Sequence, residues 1–218
     1  GNPGEALALT RHNAGAWFVE AACARYNIKM QPQGALAIVA GKGEIDGKVF
    51  HCAVTTSPIN NCGAALSALC NKHCIPPENI LVAHDDLTLL PGIVRFRFNN
   101  KGSNCLHNGV KDVAAHLGSA TFNRLRIGIG HPGIKAQVPK YVMGNVSWDQ
   151  KEKIDAILQS CVDWMPHILD GKDNGWNLVM NNLHAAKPKF APISFVNLIH
   201  DDLRDDPIPP IKNTPLPK

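Results

Sequence analysis

The stretch Ile80-Leu81-Val82-Ala83-His84-Asp85-Asp86 indicates the fold class. Its first four residues form a short apolar run, as expected of a strand buried within a sheet. Upstream and downstream, at Gly63–Cys74 and Asn108–Leu117, apolar residues recur at helical spacing. This alternation of helix and strand patterns favours an α/β layered domain over a fold in which helices and strands are segregated.

The other segments extend the same alternation. Two short strands, Ala35–Ala40 and Val49–Val54, flank a glycine-rich turn at Gly41–Gly47, which predicts a hairpin. In Ile93–Phe98 apolar residues alternate with arginines, so one face of that strand is solvated and positive. Further patterns predict a strand at Arg124–Gly130 and helices at Asn13–Ile28, Trp148–Leu169 (interrupted near Pro166) and Trp176–Ala186.

The composition changes near the end of the chain. Seven of the 16 prolines fall between Pro188 and Pro217, together with a cluster of aspartates. A segment of this kind cannot build its own core. We therefore predict an α/β domain over residues 1–187 and an irregular, Pro-rich, extended or disordered tail over residues 188–218.

The overall composition narrows the class of protein. Of the 218 residues, 44% are apolar and 18% are charged, which is ordinary for a globular protein. No apolar run approaches the roughly 18 to 20 residues that a membrane span needs, and the start carries no signal-peptide pattern. We therefore expect a soluble protein without a membrane partner. The net charge of +4 is compatible with a polyanionic partner but does not establish one.

The seven cysteines form no CxxC pair. We expect reduced thiols in a cytoplasmic protein. Cys70 and Cys74 lie four residues apart in a helical pattern with His73 between them, so they can in principle face a metal ion together. A zinc site needs two further ligands at suitable spacing, and the sequence offers no clear pair, so no metal is predicted.

Four polar clusters suggest chemistry. His12 opens a helix, where the helix dipole disfavours the cation and keeps the imidazole able to accept a proton. Asp85 follows the apolar strand, at the edge where α/β sheets build ligand sites. His107 and Asn108 open another helix, and Asn60 lies in a turn before a third.

A histidine, a carboxylate and several amides suit ester hydrolysis by an activated water. There is no GxSxG motif to support a serine nucleophile. The same residues are also common at helix N-termini and in turns as capping groups. The clusters alone therefore favour neither a catalytic role nor a structural capping role for these residues.

Over residues 1 to about 187 the sequence resembles the bacterial-type peptidyl-tRNA hydrolases, because it has several of that family's motifs in the same order. The motifs are Gly-Asn-Pro-Gly (1–4), Thr-Arg-His-Asn-Ala-Gly (10–15), His-Asp-Asp-Leu (84–87), His-Asn-Gly-Val-Lys-Asp (107–112), Arg-Leu-Arg-Ile-Gly-Ile-Gly-His-Pro-Gly (124–133), Tyr-Val-Met-Gly (141–144) and Asn-Leu-His-Ala (182–185).

The resemblance implies a fold and a reaction. The fold is a single α/β domain with a twisted, mixed and mostly parallel sheet flanked by helices. The reaction is cleavage of the ester that joins a peptide to the terminal ribose of tRNA, without a metal or an organic cofactor. The expected partner is therefore peptidyl-tRNA, bound at its acceptor stem and 3′ CCA end, and we expect the chain to act as a monomer.

The resemblance also assigns residues. It implies that His12 is the general base, that Asp85 orients it, and that Asn2 completes the catalytic set. Substrate contacts are expected at Asn60, Asn108, His107 and Leu7. Contacts with tRNA phosphate are expected at Arg97 and Arg126, with Arg95 and Lys111 as further candidates.

Three departures from the family pattern stand out. The family begins with an apolar strand that runs into the Asn-Pro-Gly turn, whereas this sequence starts at Gly1; we expect the given sequence to be incomplete there, since an interior strand position is otherwise empty. The loop 99–106 has one glycine where the family has a run of them. Pro58-Ile59 replaces a Phe-Met pair, and Leu7 replaces a tyrosine.

Two alternatives stay open at this point. One is a non-catalytic RNA-binding relative with the same fold and basic surface. The other is a metal-dependent hydrolase that uses Cys70, His73 and Cys74, which lacks further ligands.

Overall fold

A computed structural model describes residues 1–98, 107–171 and 173–184. The predicted tail 188–218 and the loop 99–106 lie outside these ranges. The strands are β1 (Gln31–Pro32), β2 (Ile38–Ile45), β3 (Lys48–Thr55), β4 (Leu81–Asp86), β5 (Val94–Arg97) and β6 (Asn123–Gly128). The helices are α1 (Ala14–Arg25), α2 (Gly63–Lys72), α3 (Asn108–Leu117), α4 (Val138–Val142), α5 (Trp148–Asp163), α6 (Met165–Asp170) and α7 (Asp173–Leu183).

The strands of the described residues form two three-stranded sheets, β1-β2-β3 and β4-β6-β5. The mixed α/β class with flanking helices is confirmed, but the prediction that the sheet is mostly parallel is wrong. Among these strands β4–β6 is the one parallel pair, and the other pairs are antiparallel. The reason is connection length, because a parallel pair needs a crossover of about a dozen residues or more. The connections β1–β2 and β2–β3 are shorter than that. The connection β4–β5 is also short, so β5 runs opposite to β4 and therefore opposite to β6, which lies between them.

The hairpin turn is shorter than predicted. Asp46 and Gly47 form it alone, with φ of 51° and 76°, the left-handed backbone of a two-residue hairpin turn. Gly41 instead lies inside β2, where an added Cβ would come within 2.7 Å of the Lys29 carbonyl oxygen. This glycine therefore permits a close approach between chain segments, which the sequence pattern had presented as part of a turn.

Strand β4 is longer than predicted and includes the three polar residues that were expected to follow it. Its parallel pairing with β6 continues through His84, Asp85 and Asp86, opposite Arg126, Ile127 and Gly128. The backbone of these polar residues pairs with the backbone of β6. Strand β4 therefore continues past the end of its apolar run.

The main core lies between the sheets and the helices α1 and α5. Val94, Phe96, Leu125 and Ile127 of the β4-β6-β5 sheet are at most 1% exposed. Helix α5 presents Ile154, Leu158 and Cys161 to this core, all fully buried and on one helical face. The predicted interruption near Pro166 is confirmed, since α5 ends at Asp163 and α6 begins at Met165.

Helix α1 packs directly on β4. An added Cβ on Gly15 would lie 2.1 Å from the carbonyl oxygen of Ala83, so only a glycine allows this approach. The contact brings the turn before α1, which carries His12, against the end of β4, which carries Asp85.

A cavity of about 640 Å³ lies between β3 and β4. Apolar side chains of both strands line it, among them Phe50, Cys52 and Val54 from β3 and Leu81 and Ala83 from β4. No helix within the described ranges combines the length and apolarity that a membrane crossing requires.

Candidate active site

His12 and Asp85 form a hydrogen-bonded pair. His12 lies in the 3₁₀ turn Arg11–Asn13 that precedes α1, and its Nδ1 is 2.8 Å from Asp85 Oδ1. Their side chains are 12% and 3% exposed. Since an ionised carboxylate only accepts hydrogen bonds, Nδ1 of His12 carries the proton and Nε2 carries the free lone pair.

Asp85 is ionised although it is buried. Burial alone would raise its pKa, but the charge of His107 and the hydrogen bonds from His107 and His12 outweigh burial and hold the pKa well below its usual range. A fixed negative charge therefore lies behind His12, where it stabilises an imidazolium.

His107 shares the same carboxylate oxygen. Its Nε2 is 2.9 Å from Asp85 Oδ1, and its Nδ1 accepts the N–H of Val110 at 3.3 Å, which caps α3. When the His107 ring is neutral, the cap makes Nδ1 the acceptor, and Nε2 carries the proton and donates to Asp85. The rings of His12 and His107 lie 4.9 Å apart. The sequence placed His107 among substrate contacts, whereas the structure places it against the carboxylate of the catalytic pair.

His84 completes a row of three imidazoles. Its ring is 5.0 Å from that of His107, and its Nδ1 donates to the backbone carbonyl of Asp85 at 2.8 Å. Burial, followed by the charge of His107, lowers the pKa of His84 to about 4. His84 is therefore neutral at pH 7. The sequence showed this histidine beside Asp85, but its burial depends on contacts that no local pattern reveals.

Asn2 lies at the same edge of the site. Its Oδ1 accepts the N–H of Ile59 at 3.0 Å, and its Nδ2 is 3.5 Å from the sulfur of Met143. Asn60 is the next residue after Ile59 in a 3₁₀ turn and is exposed. Met143 was not singled out by sequence reasoning, although it belongs to the Tyr-Val-Met-Gly motif.

Asn108 is the exposed first residue of α3. The following Gly109 packs on the turn that carries Asn60, since an added Cβ would lie 2.6 Å from the Ile59 carbonyl oxygen. The structure therefore brings Asn60 and Asn108 onto adjoining turns. Leu7 is half-buried and contributes its carbonyl oxygen, which accepts a hydrogen bond from Asn13.

The predicted tRNA-contacting arginines meet on neighbouring strands. Arg95 and Arg97 lie on one face of β5, and Arg95 is opposite Arg126 of β6. The positive charges of these arginines shift the pKa of nearby groups. Burial, followed by the charges of Arg126 and Arg97, lowers the pKa of Arg95. Burial, followed by the charges of the three arginines, lowers the pKa of His184 to about 4.

The three arginines differ in what else they contact. Arg126 is largely covered, with its Nε 2.6 Å from Asp86 Oδ2 and its Nη2 3.0 Å from Thr88 Oγ1. Arg97 is exposed. Arg97 is therefore the best placed of the three for a phosphate, and Arg126 also holds β4 to β6. Lys111 is exposed on α3.

Two possible metal sites can be assessed in the described residues. One ligand atom each from His12, Asp85 and His107 lies within 4.8 Å of the others, but both histidines direct N–H groups, not lone pairs, at Asp85. Cys70 is buried in the core beside Ile80 and Phe122, whereas Cys74 is exposed beyond the end of α2. The pair therefore does not face a common ion.

Comparisons with known proteins find relatives that are similar in sequence and in fold. A profile of the family described as peptidyl-tRNA hydrolase matches residues 1–191. The chain is 39% identical over 188 residues to the peptidyl-tRNA hydrolase of Pseudomonas savastanoi pv. phaseolicola, covering 86% of the chain and 94% of that relative. It is 36% identical over 189 residues to that of Acinetobacter baylyi, covering 87% and 95%. The crystal structure of peptidyl-tRNA hydrolase from Acinetobacter baumannii superposes with a TM-score of 0.80 at 34% identity, over 86% of the chain and 93% of that structure.

Proposed function

Since the chain belongs to the peptidyl-tRNA hydrolase family and hydrolyses the ester bond of peptidyl-tRNA, we propose that His12 is the general base of this reaction. The observation that carries the proposal is the hydrogen bond between His12 Nδ1 and Asp85 Oδ1, 2.8 Å long. It leaves the Nε2 lone pair free for a water molecule and supplies a negative charge to the opposite side of the ring.

The proposed reaction has two proton transfers. His12 Nε2 removes a proton from water as the water oxygen attacks the ester carbonyl carbon, and a tetrahedral oxyanion forms. When the intermediate collapses, the bond to the ribose oxygen breaks, and the imidazolium returns the proton to that oxygen. The products are the peptide carboxylic acid, which ionises at neutral pH, and tRNA with a free ribose hydroxyl. Asp85 stays ionised throughout and stabilises the imidazolium between the two transfers.

We assign the asparagines to orientation and charge stabilisation. Asn2, Asn60 and Asn108 present amide groups that suit the peptide backbone, the attacking water and the developing oxyanion. Their proximity supports this assignment, since Asn60 and Asn108 lie on adjoining turns and Asn2 accepts the N–H of Ile59 next to Asn60. We also assign Leu7 to the substrate surface, and we place His107 behind the pair, where its N–H helps to hold the shared carboxylate.

We propose that tRNA phosphates bind the arginine cluster at β5 and β6, with the acceptor stem leading its 3′ CCA end to His12. Arg97 is the main contact, Arg95 and Arg126 add positive charge, and Lys111 is a peripheral contact. Contacts of this kind depend on salt and do not read sequence.

We also propose that the chain acts as a monomer in the cytoplasm. The monomer is what the family resemblance implies, and the six cysteines in the described ranges are free thiols, as in proteins of a reducing compartment. Light scattering of the purified chain, expected to give the mass of one protomer, tests the oligomeric state.

The direct experiment is hydrolysis of N-acetyl-aminoacyl-tRNA by the purified chain. We expect release of the acyl amino acid, no release from free aminoacyl-tRNA, and a decrease in kcat of about 10²- to 10⁴-fold in His12→Ala, the usual size of a general-base contribution. Normal turnover in that variant would rule out the mechanism. Binding without turnover in the wild type would favour an RNA-binding role, and inhibition by 1,10-phenanthroline would favour metal-dependent hydrolysis.

A further inference from the structure

We propose that Asn13 is a positioning residue for the reaction, because its side chain fixes Asn2 relative to His12. This inference rests on the proposed role of Asn2 in the active site. Asn13 directly follows His12 and is only 5% exposed. A buried amide must have its hydrogen bonds satisfied, and those of Asn13 go to the segment that carries Asn2.

The amide of Asn13 makes three hydrogen bonds. Its Oδ1 accepts the backbone N–H of Asn2 at 2.5 Å. Its Nδ2 donates to the backbone carbonyl of Asn2 at 3.0 Å and to that of Leu7 at 2.9 Å. Both main-chain polar groups of Asn2 are therefore held by one side chain, and both amide protons of Asn13 are used.

Holding the backbone of Asn2 determines where its side chain lies. With the main chain fixed on Asn13, the side chain spans to the Ile59 N–H at 3.0 Å and to the Met143 sulfur at 3.5 Å. Without Asn13, those two contacts alone would have to place it, and one of them is a weak contact to sulfur.

The turn Arg11–Asn13 explains how His12 and Asn2 keep a fixed relative position. A 3₁₀ turn has about three residues per turn, so consecutive side chains point in different directions. Arg11 reaches the carbonyl oxygens of Gly144 and Asn145 at 3.2 and 2.9 Å, beside Met143. His12 reaches Asp85, and Asn13 reaches Asn2. One short segment therefore sets the base, the amide and the sulfur contact together.

A buried asparagine that merely stabilises the fold would give a different result from one that positions Asn2. Asn13→Asp keeps the shape and one acceptor but removes both N–H donors. If Asn13 acts through Asn2, kcat falls about tenfold to a hundredfold, the range expected when a reacting group is misplaced by about 1 Å. In an Asn2→Ala background the same substitution then causes little further loss of kcat, because no side chain remains to be positioned.

The test measures kcat and KM on N-acetyl-aminoacyl-tRNA for the wild type, Asn13→Asp, Asn2→Ala and the double variant. The samples are kept well below their melting temperatures. Asn123→Asp is the matched control, since Asn123 is also buried at 4% exposure and donates to the Glu78 carbonyl at 2.6 Å. It is expected to lower stability and leave kcat unchanged. If Asn13→Asp does not fold, Asn13→Ala, which buries no charge, takes its place in the cycle.

The outcomes separate this inference from the proposed function. Wild-type kcat in a folded Asn13 variant, or equal losses of kcat from the Asn13 substitution in both backgrounds, would overturn the positioning role. Wild-type kcat in Asn2→Ala would instead remove the proposed role of Asn2 itself. A nonadditive loss, confined to molecules that carry Asn2, supports the inference.

Discussion

Substitution of Asp85 by asparagine tests how much the carboxylate contributes to His12. The side chain keeps its shape, but the oxygen that lies 2.8 Å from His12 Nδ1 loses its charge. A hydrogen bond to a charged group contributes about 1.5–3 kcal/mol, against about 0.5–1.5 for a neutral one. The direct attraction between unit charges about 4 Å apart is about 4 kcal/mol at an effective dielectric constant of about 20.

The hydrogen-bond difference, about 1 kcal/mol, and the charge attraction, about 4 kcal/mol, bracket the expected loss of imidazolium stabilisation, which corresponds to a decrease in kcat of about 5- to 1,000-fold. The assay is steady-state hydrolysis of N-acetyl-aminoacyl-tRNA, with KM expected to change little. Asp112→Asn is the matched control: its carboxylate accepts the N–H of Gly63 at 2.6 Å at the start of α2, so its loss should affect stability but not kcat. A kcat for Asp85→Asn within about threefold of the wild type would refute the argument.

Other predictions concern tRNA binding, pH and packing. Arg97→Ala should raise KM several-fold with kcat unchanged and reduce the log–log salt slope of binding by about one. Arg25→Ala, which removes another exposed arginine at the end of α1, should do neither, and equal effects of the two substitutions would contradict the assignment. The unfolded chain protonates His84 near pH 6.5 but the folded chain only near pH 4, so this group's contribution is fully present above pH 6.5 and declines as the pH falls toward 4, by about 1.4 kcal/mol per pH unit. Urea unfolding measures how much free energy of unfolding is lost between pH 7.5 and pH 5. This loss should be about 2 kcal/mol smaller in His84→Gln than in the wild type, and identical losses would contradict a neutral, buried His84. Gly15→Ala should place a Cβ against the Ala83 carbonyl, destabilise the fold by about 1–3 kcal/mol and lower kcat by separating His12 from Asp85; an unchanged melting temperature and kcat would show that α1 does not press on β4.

The sequence predicted secondary-structure elements correctly where a local pattern has only one structural interpretation. Helix α3 begins and ends at the predicted residues, Asn108 and Leu117, because its apolar face, its capping residue and the following glycine agree. The Asp46-Gly47 turn was placed within too long a segment, because a glycine can serve a turn or a close approach equally well. Gly41 serves the second purpose, and only the position of Lys29 reveals it.

The site shows the same division between local and distant causes. His12 and Asp85 were identified from a helix start, a strand end and a family resemblance, and the structure brings them into contact across 73 residues. The sharing of Asp85 by His107, the burial of His84 and the hold of Asn13 on Asn2 were not predicted. Each depends on which distant groups surround a polar side chain, and one-dimensional spacing carries no information about that.

The central claim, that His12 acts on the chemical step, is tested most directly by measuring binding and chemistry separately in one variant. His12→Gln keeps a polar side chain of similar reach but cannot accept and return a proton at neutral pH. We predict a dissociation constant for N-acetyl-aminoacyl-tRNA within about twofold of the wild type and a single-turnover rate that is lower by about 10²- to 10⁴-fold. A single-turnover rate equal to that of the wild type, or a loss of activity that is fully explained by weaker binding, would contradict the account.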